Sequence, residues 1–440
     1  MRIKYRLSLL LLTAALLLSG CAMRTVEDMY RLPKRSEDYH DLQLAIDKAM
    51  VGMEYCAPLT GENQQTVQMA DLDGDGIDEY LLFAKTAQER PLRILIFRKL
   101  KDTFVHADTL ECNGSAFDQV EYVSMDGRAG VELVVGCQLS DQVIRSLTVY
   151  TLSQGSMVQC MTANYTKFLT ADIDSDRRSE LFLLRPGLTD TDNGIAELYT
   201  MISGTAERYY EVNMSQPADR LKRIIVGKLD GGKIAIYIAS AVGDSALITD
   251  VYTLLDDKLV NVTLSNESGT SVKTMRNFYV FADDIDNDNV VELPELMHMK
   301  PVDGVEDVDS HHLIRWYSMT PGGDEVNKLY TYHNFRGGWY MQVDGKYAER
   351  LAAVSAGNQT ELYLWNKKSD KSEKLLTIYT LTGQNREEQG LQNGRFVLYK
   401  TDSVIYAAAL EQKALDLGLT QENVVYSFRM IQHDWKTGET

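Results

Sequence analysis

The feature that most constrains this fold is a short apolar strand that recurs along the chain, each time after an acidic turn. Four copies begin with a glutamate, at Glu79, Glu132, Glu180 and Glu292. Their separations are 53, 48 and 112 residues, and the last is about twice a single repeat. A fifth apolar strand, residues 234–238, lies midway in that interval and follows Asp230. The chain is therefore predicted to repeat one β-rich unit five times.

Each unit carries two further strands. One precedes the acidic turn, as at residues 66–69, 117–123 and 278–281. A third strand ends in an aromatic residue, and these are Phe97, Tyr150, Tyr199, Tyr252 and Tyr317. A unit this short cannot bury its own apolar face and needs neighbours to pack on. The pattern predicts a mainly β fold, with a β-propeller of about five recognisable blades over residues 64–334.

Three turns share one spacing of acids, at positions 1, 3, 5 and 9 of the turn. The residues are Asp71, Asp73, Asp75 and Glu79; Asp172, Asp174, Asp176 and Glu180; and Asp284, Asp286, Asp288 and Glu292. Alternate side chains of a bent, extended loop converge, together with the carbonyl of position 7, which is Ile77 in the first turn. Carboxylates held this close repel each other unless a cation lies between them. Six to eight oxygens at about 2.3–2.6 Å suit Ca²⁺, whereas Mg²⁺ needs a tighter octahedron and Zn²⁺ prefers His or Cys.

The segment from Asp71 to Glu79, with its flanking strands, resembles the calcium loop of FG-GAP or VCBS repeats, the family that includes the integrin α-subunit propeller. The resemblance covers residues 66–334, and three of the five units keep the full motif. It implies that Ca²⁺ is structural and fixes the turn between the first two strands of a blade. The turn departs from an EF-hand, because Leu82 stands at position 12 and a strand follows. A clean Phe-Gly…Gly-Ala-Pro signature is missing as well.

The turns are not expected to bind equally. Position 6 favours a left-handed backbone, which Gly adopts freely and Asn tolerates. Gly76 stands there in the first turn, Asn289 in the fifth and Arg177 in the third. This predicts the first turn as the strongest site, then the fifth, then the third. The second unit keeps only Asp126 and Glu132, and the fourth only Asp230, so neither is expected to bind calcium well.

The N-terminal segment predicts export. Residues 1–20 combine a basic start, a short apolar run and small residues, as a secretory signal peptide does. The ending Leu18-Ser19-Gly20-Cys21 resembles the lipobox of bacterial lipoproteins, which implies lipidation of Cys21 and anchoring on the extracytoplasmic face of the cell membrane. The alternative is an ordinary signal peptide that contains a cysteine. Residues 21–63 are predicted to form a tether and a helix opened by Ser36, with an apolar face of Leu42, Ala45, Ile46, Ala49 and Met50.

The charge balance excludes some partners. The chain has 45 basic and 63 acidic residues, a net charge of −18, and removal of the three basic residues of the signal leaves 42 against 63, or −21. Such a surface repels nucleic acid and anionic lipid, so membrane contact through the lipid alone is expected. The remaining cysteines, Cys56, Cys112, Cys137 and Cys160, are interpreted as buried thiols, with a Cys137–Cys160 bridge left open.

The pattern changes after residue 334. Six strands are predicted, at residues 339–343, 351–354, 361–365, 375–381, 395–400 and 403–409. Two helices follow, at residues 411–417 and after Thr420, the second with Val424, Phe428, Ile431 and Trp435 on one face. Strands first and helices last predict an α+β domain over residues 335–440, in an element order similar to PsbP-like domains. The alternative is a pair of additional propeller blades.

These features favour a cell-surface lipoprotein whose calcium-stabilised propeller binds an extracellular protein or glycan without catalysis. The sequence contains no His-Glu-x-x-His, phosphate-loop or dinucleotide motif. Two alternatives stay open. One is an extracytoplasmic hydrolase or lyase with its site at the propeller channel, and the other is a scaffold in envelope assembly.

Overall fold

The structure is a computed structural model that describes residues 37–88, 90–101, 103–139, 145–189, 192–202, 204–302 and 311–431. Residues 1–20, Cys21 and the tether as far as residue 36 lie outside these ranges. Over them the protein is mainly β, with six antiparallel sheets. No helix within these ranges is both long and apolar enough to cross a membrane.

The first four sheets follow the chain in order, and consecutive strands lie side by side except that β1 and β2 of sheet one both pair with β3. Sheet one contains β1 (Glu54–Tyr55), β2 (Val67–Ala70), β3 (Glu79–Lys85), β4 (Leu92–Leu100) and β5 (Thr103–Cys112). Sheet two contains β6 (Ala116–Val123), β7 (Glu132–Gln138), β8 (Arg145–Ser153) and β9 (Ser156–Tyr165). Sheet three contains β10 (Lys167–Ala171), β11 (Glu180–Arg185), β12 (Ile195–Ile202) and β13 (Thr205–Asn213). Sheet four contains β14 (Leu221–Lys228), β15 (Ile234–Val242), β16 (Ala246–Leu255) and β17 (Lys258–Asn261).

The last two sheets have five strands each. Sheet five contains β18 (Leu293–Met297), β19 (His311–Met319), β20 (Glu325–Asn334), β21 (Trp339–Val343) and the distant β27 (Phe428–Met430). Sheet six contains β22 (Leu351–Ala356), β23 (Gln359–Asn366), β24 (Lys371–Thr382), β26 (Val404–Leu410) and β25 (Phe396–Lys400), in that spatial order. All six strands predicted after residue 334 are present. Sheet five takes strands from both sides of residue 334, and the division there into a propeller and an α+β domain stays a prediction.

The helices are few and mostly short. They are α1 (Glu37–Ala49), α2 (Gly345–Ala348), α3 (Arg386–Gln389), α4 (Gln412–Asp416) and α5 (Gln421–Ser427), with 3-10 turns at Ala218–Arg220 and Val272–Thr274. Helix α1 buries Leu42 and Ile46 against Leu82, Leu95 and Phe97 of sheet one. The predicted helix and its apolar face are therefore confirmed.

The five repeat units share one strand register. In sheet one, Tyr80 pairs with the recurrent aromatic Phe97. The other aromatics pair with the equivalent residue of their own second strand: Leu133 with Tyr150, Leu181 with Tyr199, Ile236 with Tyr252 and Leu293 with Tyr317. In sheets one, two, three and five, the residue that follows the aromatic is thus placed opposite the glutamate that closes the acidic turn, and in sheet four Thr253 is placed opposite Ala235.

The core is divided into layers between consecutive sheets. Buried apolar clusters join sheets one and two, two and three, three and four, four and five, and five and six. Between the first two, the rings of Phe83 and Phe117 meet edge to face with centroids 5.1 Å apart. Each sheet therefore depends on its neighbour for burial, as a repeat of this size requires.

The strand predicted at residues 278–281 is wrong. This segment has no regular structure, because its aromatic side chains pack on different elements. Phe278 packs on the rings of His312 and Phe335, with centroids 4.4 and 4.2 Å away. Phe281 is buried with Leu247 of sheet four. A segment held from two sides in this way cannot run as one edge strand of sheet five.

The second C-terminal helix is shorter than predicted. Its cap is confirmed, since the Thr420 hydroxyl accepts from the Asn423 N–H. The helix ends at Ser427, however, and Phe428 continues as an extended residue of β27. Phe428 is buried and pairs with Met341, so sheet hydrogen bonds replace another helical turn. Trp435 lies outside the described residues.

The four cysteines are free thiols, so a Cys137–Cys160 bridge is not formed. Cys137 lies on β7 and Cys160 on β9, and β8 lies between these two strands. The thiol of Cys137 interacts with that of Cys112 of sheet one instead.

Candidate metal centres

Each of the three predicted turns brings three carboxylates together. Their ligand oxygens lie within 4.8 Å of one another, and the groups are Asp71, Asp73 and Glu79; Asp172, Asp174 and Glu180; and Asp284, Asp286 and Glu292. In each triad the glutamate is buried, the first aspartate half-buried and the second exposed. In each of the three turns, the acids at positions 1, 3 and 9 therefore lie close together, as their spacing predicted.

The first aspartate organises the turn by accepting main-chain N–H groups. Asp71 Oδ1 accepts from Gly74 at 2.7 Å and from Asp75 at 3.1 Å, and Oδ2 accepts from Gly76 at 2.9 Å. Asp172 and Asp284 accept from positions 5 and 6 of their own turns at 2.9–3.0 Å. Short polar side chains that bond their own backbone are typical turn formers. The three turns therefore share one local structure.

The closing glutamate fastens the turn to its strand. Glu79 Oε2 accepts from the Leu72 N–H at 2.9 Å. The same bond joins Glu180 to Ile173 at 2.8 Å and Glu292 to Ile285 at 3.1 Å. One carboxylate oxygen of each glutamate thus binds the backbone of its own turn.

Position 6 has the expected backbone. Its φ angle is +86° at Gly76, +73° at Arg177 and +67° at Asn289, which confirms a left-handed residue in all three turns. An L-residue with a Cβ pays about 1–2 kcal/mol for this conformation. Arg177 therefore places strain in the third turn that Gly76 avoids.

The fourth predicted acid, at position 5, lies outside each triad. Asp75 accepts from the Ile77 N–H at 2.8 Å. Asp176 pairs with Arg178, and Asp288 with Lys328 at 2.7 Å, and these hydrogen bonds hold the pKa of both carboxyls below the usual range. The carbonyl of Ile77 as a ligand stays a prediction.

The buried glutamates fit a bound cation. Burial raises the pKa of Glu180 to about 7 and that of Glu292 to about 8, although each accepts a main-chain N–H that opposes the change. Glu292 Oε1 is buried and has no hydrogen-bond partner among the described residues. A buried carboxylate oxygen without a partner is costly, and a cation at the triad would relieve that cost. An all-oxygen donor set favours a hard divalent ion.

The second turn carries its own cation. The Met125 N–H donates to Glu132 Oε2 at 2.8 Å, which places Asp126 at position 3 and Arg128 at position 5. The Arg128 guanidinium bonds to Asp126, lies 3.7 Å from Glu132 Oε1 and donates to Thr151 at 2.6 Å. An arginine thus takes the place that a metal would have, which is consistent with the predicted loss of calcium binding there.

The sequence reasoning missed Arg98 on β4. Its Nε lies 3.2 Å from Glu79 Oε1, and its Nη2 lies 3.7 Å from Asp73 Oδ2. A guanidinium therefore contacts two carboxylates of the first triad. The signal that could have found it is the register, because Arg98 directly follows the recurrent aromatic Phe97.

Neighbouring turns contact each other. A Cβ on Gly74 would lie 2.4 Å from Ala129 of the second turn. The Ser179 N–H donates to Ser124 O at 2.7 Å, and the Val291 N–H donates to Lys228 O at 3.0 Å. A change in one turn is therefore transmitted directly to the next sheet.

A separate cavity lies in the C-terminal part. Its volume is about 510 Å³, and its lining includes Met341, Leu351, Leu376, Leu419, Val424 and Tyr426. Tyr426 is 74% exposed at its edge. Drug-sized ligands occupy sites of about this volume, lined by apolar and aromatic side chains.

The sequence matches no family model and no curated protein. Among solved structures it is similar to the exotype rhamnogalacturonan lyase YesX, with a TM-score of 0.29, 13% identity and coverage of 76% of this chain and 70% of that one. For a rhamnogalacturonan lyase of Bacillus licheniformis the TM-score is 0.28 at 14% identity, with coverage of 73% of this chain and 72% of that one. For the rhamnogalacturonan lyase YesW the TM-score is 0.28 at 12% identity, with coverage of 85% of this chain and 79% of that one. TM-scores this low do not indicate a function for this chain.

Proposed function

We propose that this protein is a lipid-anchored, extracytoplasmic binding protein whose β-propeller is stabilised by Ca²⁺. The observation that carries the proposal is the triple occurrence of a carboxylate triad at the same place in three sheets. Each triad would hold the ion between two aspartates and a buried glutamate, and the ion would balance the negative charge of these carboxylates. Calcium is structural in this proposal and takes no part in a reaction.

The sheet order supports the propeller. Antiparallel sheets of four or five strands follow one another along the chain, and each shares an apolar layer with the next. A triad lies at the start of β3, β11 and β18, in sheets one, three and five, where it would fix the turn against its neighbour. Five of the six sheets correspond to the five sequence repeats.

A binding role is favoured over catalysis by where the ionisable groups lie. Burial raises the pKa of Glu180 to about 7 and that of Glu292 to about 8, and both glutamates belong to the proposed metal turns. The C-terminal cavity is lined mainly by apolar side chains, and its exposed Tyr426 offers a ring face to a sugar or an apolar side chain. We therefore propose this cavity as the contact site for an extracellular protein or glycan.

Calcium binding is tested by melting and calorimetry of the purified mature protein. We expect uptake at about 10⁻⁴ to 10⁻³ M, as in extracellular modules. The melting temperature should be higher in calcium than in chelator, with magnesium much less effective. An unchanged melting curve without calorimetric uptake would show that the turns are solvated acidic surface.

Anchoring is tested with Cys21→Ala. The wild type should enter the detergent-soluble membrane fraction, since two or more acyl chains anchor stably, and the variant should be released or remain unprocessed. Mass spectrometry that finds wild-type protein cleaved after residue 20 with an unmodified cysteine would refute lipidation.

Ligand binding is tested on arrays of glycans and of extracellular proteins. Tyr426→Ala should lose the signal of any ligand that wild type retains, whereas Tyr399→Ala, a tyrosine on β25 that is 47% exposed, should keep it. Equal loss in both variants, or in neither, would remove the cavity from the proposal.

A further inference from the structure

We infer that the side chain after the recurrent aromatic of the third strand sets the metal affinity of each acidic turn, and that Arg98 closes the first turn as an internal cation. This inference rests on the proposed calcium binding. It concerns which turns take the ion at low calcium and which only at high calcium.

The strand register places one side chain beside the closing glutamate of the first turn. Tyr80 pairs with Phe97, so Arg98 is placed beside Glu79. The same position after Tyr150, Tyr199 and Tyr317 is occupied by Thr151, Thr200 and Ser318. Arginine in the first sheet is thus the exception, and a short hydroxyl side chain is the rule in the others.

Arg98 contacts two carboxylates of the first triad. Its guanidinium lies 3.2 Å from Glu79 and 3.7 Å from Asp73, and its side chain is only 23% exposed. Arginine stays charged at every accessible pH. A divalent ion bound by the same two carboxylates would lie beside this positive charge, so the guanidinium must swing out before the ion enters.

The third turn shows the opposite arrangement. Thr200 leaves a cavity of about 210 Å³ that is lined by Asp174 and Glu180, the counterparts of the two carboxylates that Arg98 contacts. In the fifth turn, Glu292 Oε1 is buried and has no hydrogen-bond partner within the described ranges. Arg178 also lines the cavity of the third turn, but its ion pair is with Asp176, outside the triad. Within the described ranges neither Glu180 nor Glu292 has a salt bridge, so these two triads still need a cation, whereas Arg98 supplies one in the first turn.

The second turn supports the same principle by another route. Arg128 reaches Asp126 and Glu132 from within the turn, and Thr151 donates to Glu132 Oε1 at 3.1 Å. The two turns whose closing glutamate lies within salt-bridge distance of an arginine are in contact with each other, through Gly74 and Ala129. Calcium dependence is thus concentrated in the third and fifth turns, and the first turn becomes a low-affinity site despite its favourable Gly76.

The test is a pair of reciprocal substitutions, Arg98→Thr and Thr200→Arg, in the full mature protein. Calcium bound per chain is counted by equilibrium dialysis over a range of free calcium. Wild type should fill two sites first and a third at higher concentration. Arg98→Thr should lower the dissociation constant of that third site at least about tenfold, the size of effect that a charge within 4–6 Å has on a carboxylate. Thr200→Arg should remove one of the two tight sites.

Two controls separate the possible failures. Adding Asp73→Asn to Arg98→Thr should return the count to two tight sites, which assigns the gained site to the first turn. Three equivalent sites in wild type that neither substitution changes would overturn the role of Arg98 and leave the proposed function standing. Absence of uptake in wild type and in Arg98→Thr would overturn the proposed function itself. Circular dichroism would show whether Arg98→Thr fails to fold. In that case the loss or retention of a tight site in Thr200→Arg tests the inference, because the cavity beside Thr200 has room for the guanidinium.

Discussion

The second and fifth turns both bury a glutamate carboxylate, but they differ in what lies near its negative charge. Both close with a main-chain N–H donated to a buried glutamate, from Met125 to Glu132 at 2.8 Å and from Ile285 to Glu292 at 3.1 Å. In the second turn Arg128 supplies the positive charge. In the fifth turn the other oxygen of Glu292 is left without a hydrogen-bond partner among the described residues. The comparison teaches that this turn needs a cation near its glutamate, and that a side chain or a solvent ion can provide it.

The strongest way to break the comparison is to remove calcium binding at the fifth turn with Asp286→Asn. At a calcium concentration 100 times the dissociation constant, one site adds roughly 2.7 kcal/mol to the free energy of unfolding. We expect this variant to lose about that amount in calcium and much less in chelator, as measured by urea unfolding. Asp126→Asn in the second turn is the control, and its effect should be the same in both buffers. Equal calcium dependence of the two variants would contradict the division of roles.

Removal of the internal cation is the next largest effect. Arg128→Met should lower the free energy of unfolding by about 1–3 kcal/mol, because Glu132 stays buried without its charged partner. The loss should be the same in calcium and in chelator. Arg178→Met is a matched control, since Arg178 pairs with the exposed part of the third turn, at Asp176, where solvent screens an ion pair and its loss should change stability little. A loss that calcium restores would show that the second turn binds metal after all.

Acid pH sharpens the comparison, because it separates metal loss from protonation of the core. His333 of sheet five is buried beside His312 and Tyr340, and burial lowers its pKa to about 3. The unfolded chain binds the proton near pH 6.5, so this contribution to stability is complete above pH 6.5 and is lost as the pH falls toward 3. At pH 5.5 and saturating calcium we expect a loss of about 1.4 kcal/mol relative to pH 7.5.

The control for this pH effect is His333→Asn, measured at both pH values in the same calcium buffer. The difference between wild type and variant should change by the stated amount, whatever the other titrating groups contribute. An identical pH dependence of the two proteins would show that His333 is not the group responsible.

The smallest expected effect concerns Lys328, which contacts the fifth turn at Asp288 and leaves the triad uncovered. Lys328→Met should change the free energy of unfolding by less than about 1 kcal/mol, since the pair is partly exposed. Calcium affinity should change far less than on Arg98→Thr. A tenfold tightening on Lys328→Met would mean that any nearby cation competes, and that contact with the triad is not the deciding factor.

Much of the sheet structure could be predicted from single residues. The glutamate that opens each second strand and the aromatic that marks each third strand repeat with the register, so Tyr80–Phe97 and Leu133–Tyr150 align as expected. Prediction failed where packing partners differ along a segment. Residues 278–281 look like a strand, yet Phe278 and Phe281 are drawn to different sheets. Phe428 fits a helical face, but its pairing with Met341 ends the helix.

The sequence by itself determined the local chemistry of the turns. An aspartate at position 1 accepts hydrogen bonds from the backbone that follows it, and a left-handed residue at position 6 closes the bend. Both features depend only on residues of the same turn. In the first turn, by contrast, strand pairing sets which cation meets the glutamate. Arg98 is 19 residues from Glu79 and reaches it only because β4 pairs with β3. Electrostatic partners are set by distance in space, so the residues of the turn alone give no sign of Arg98, and only the strand pairing that aligns Phe97 with Tyr80 places it beside Glu79.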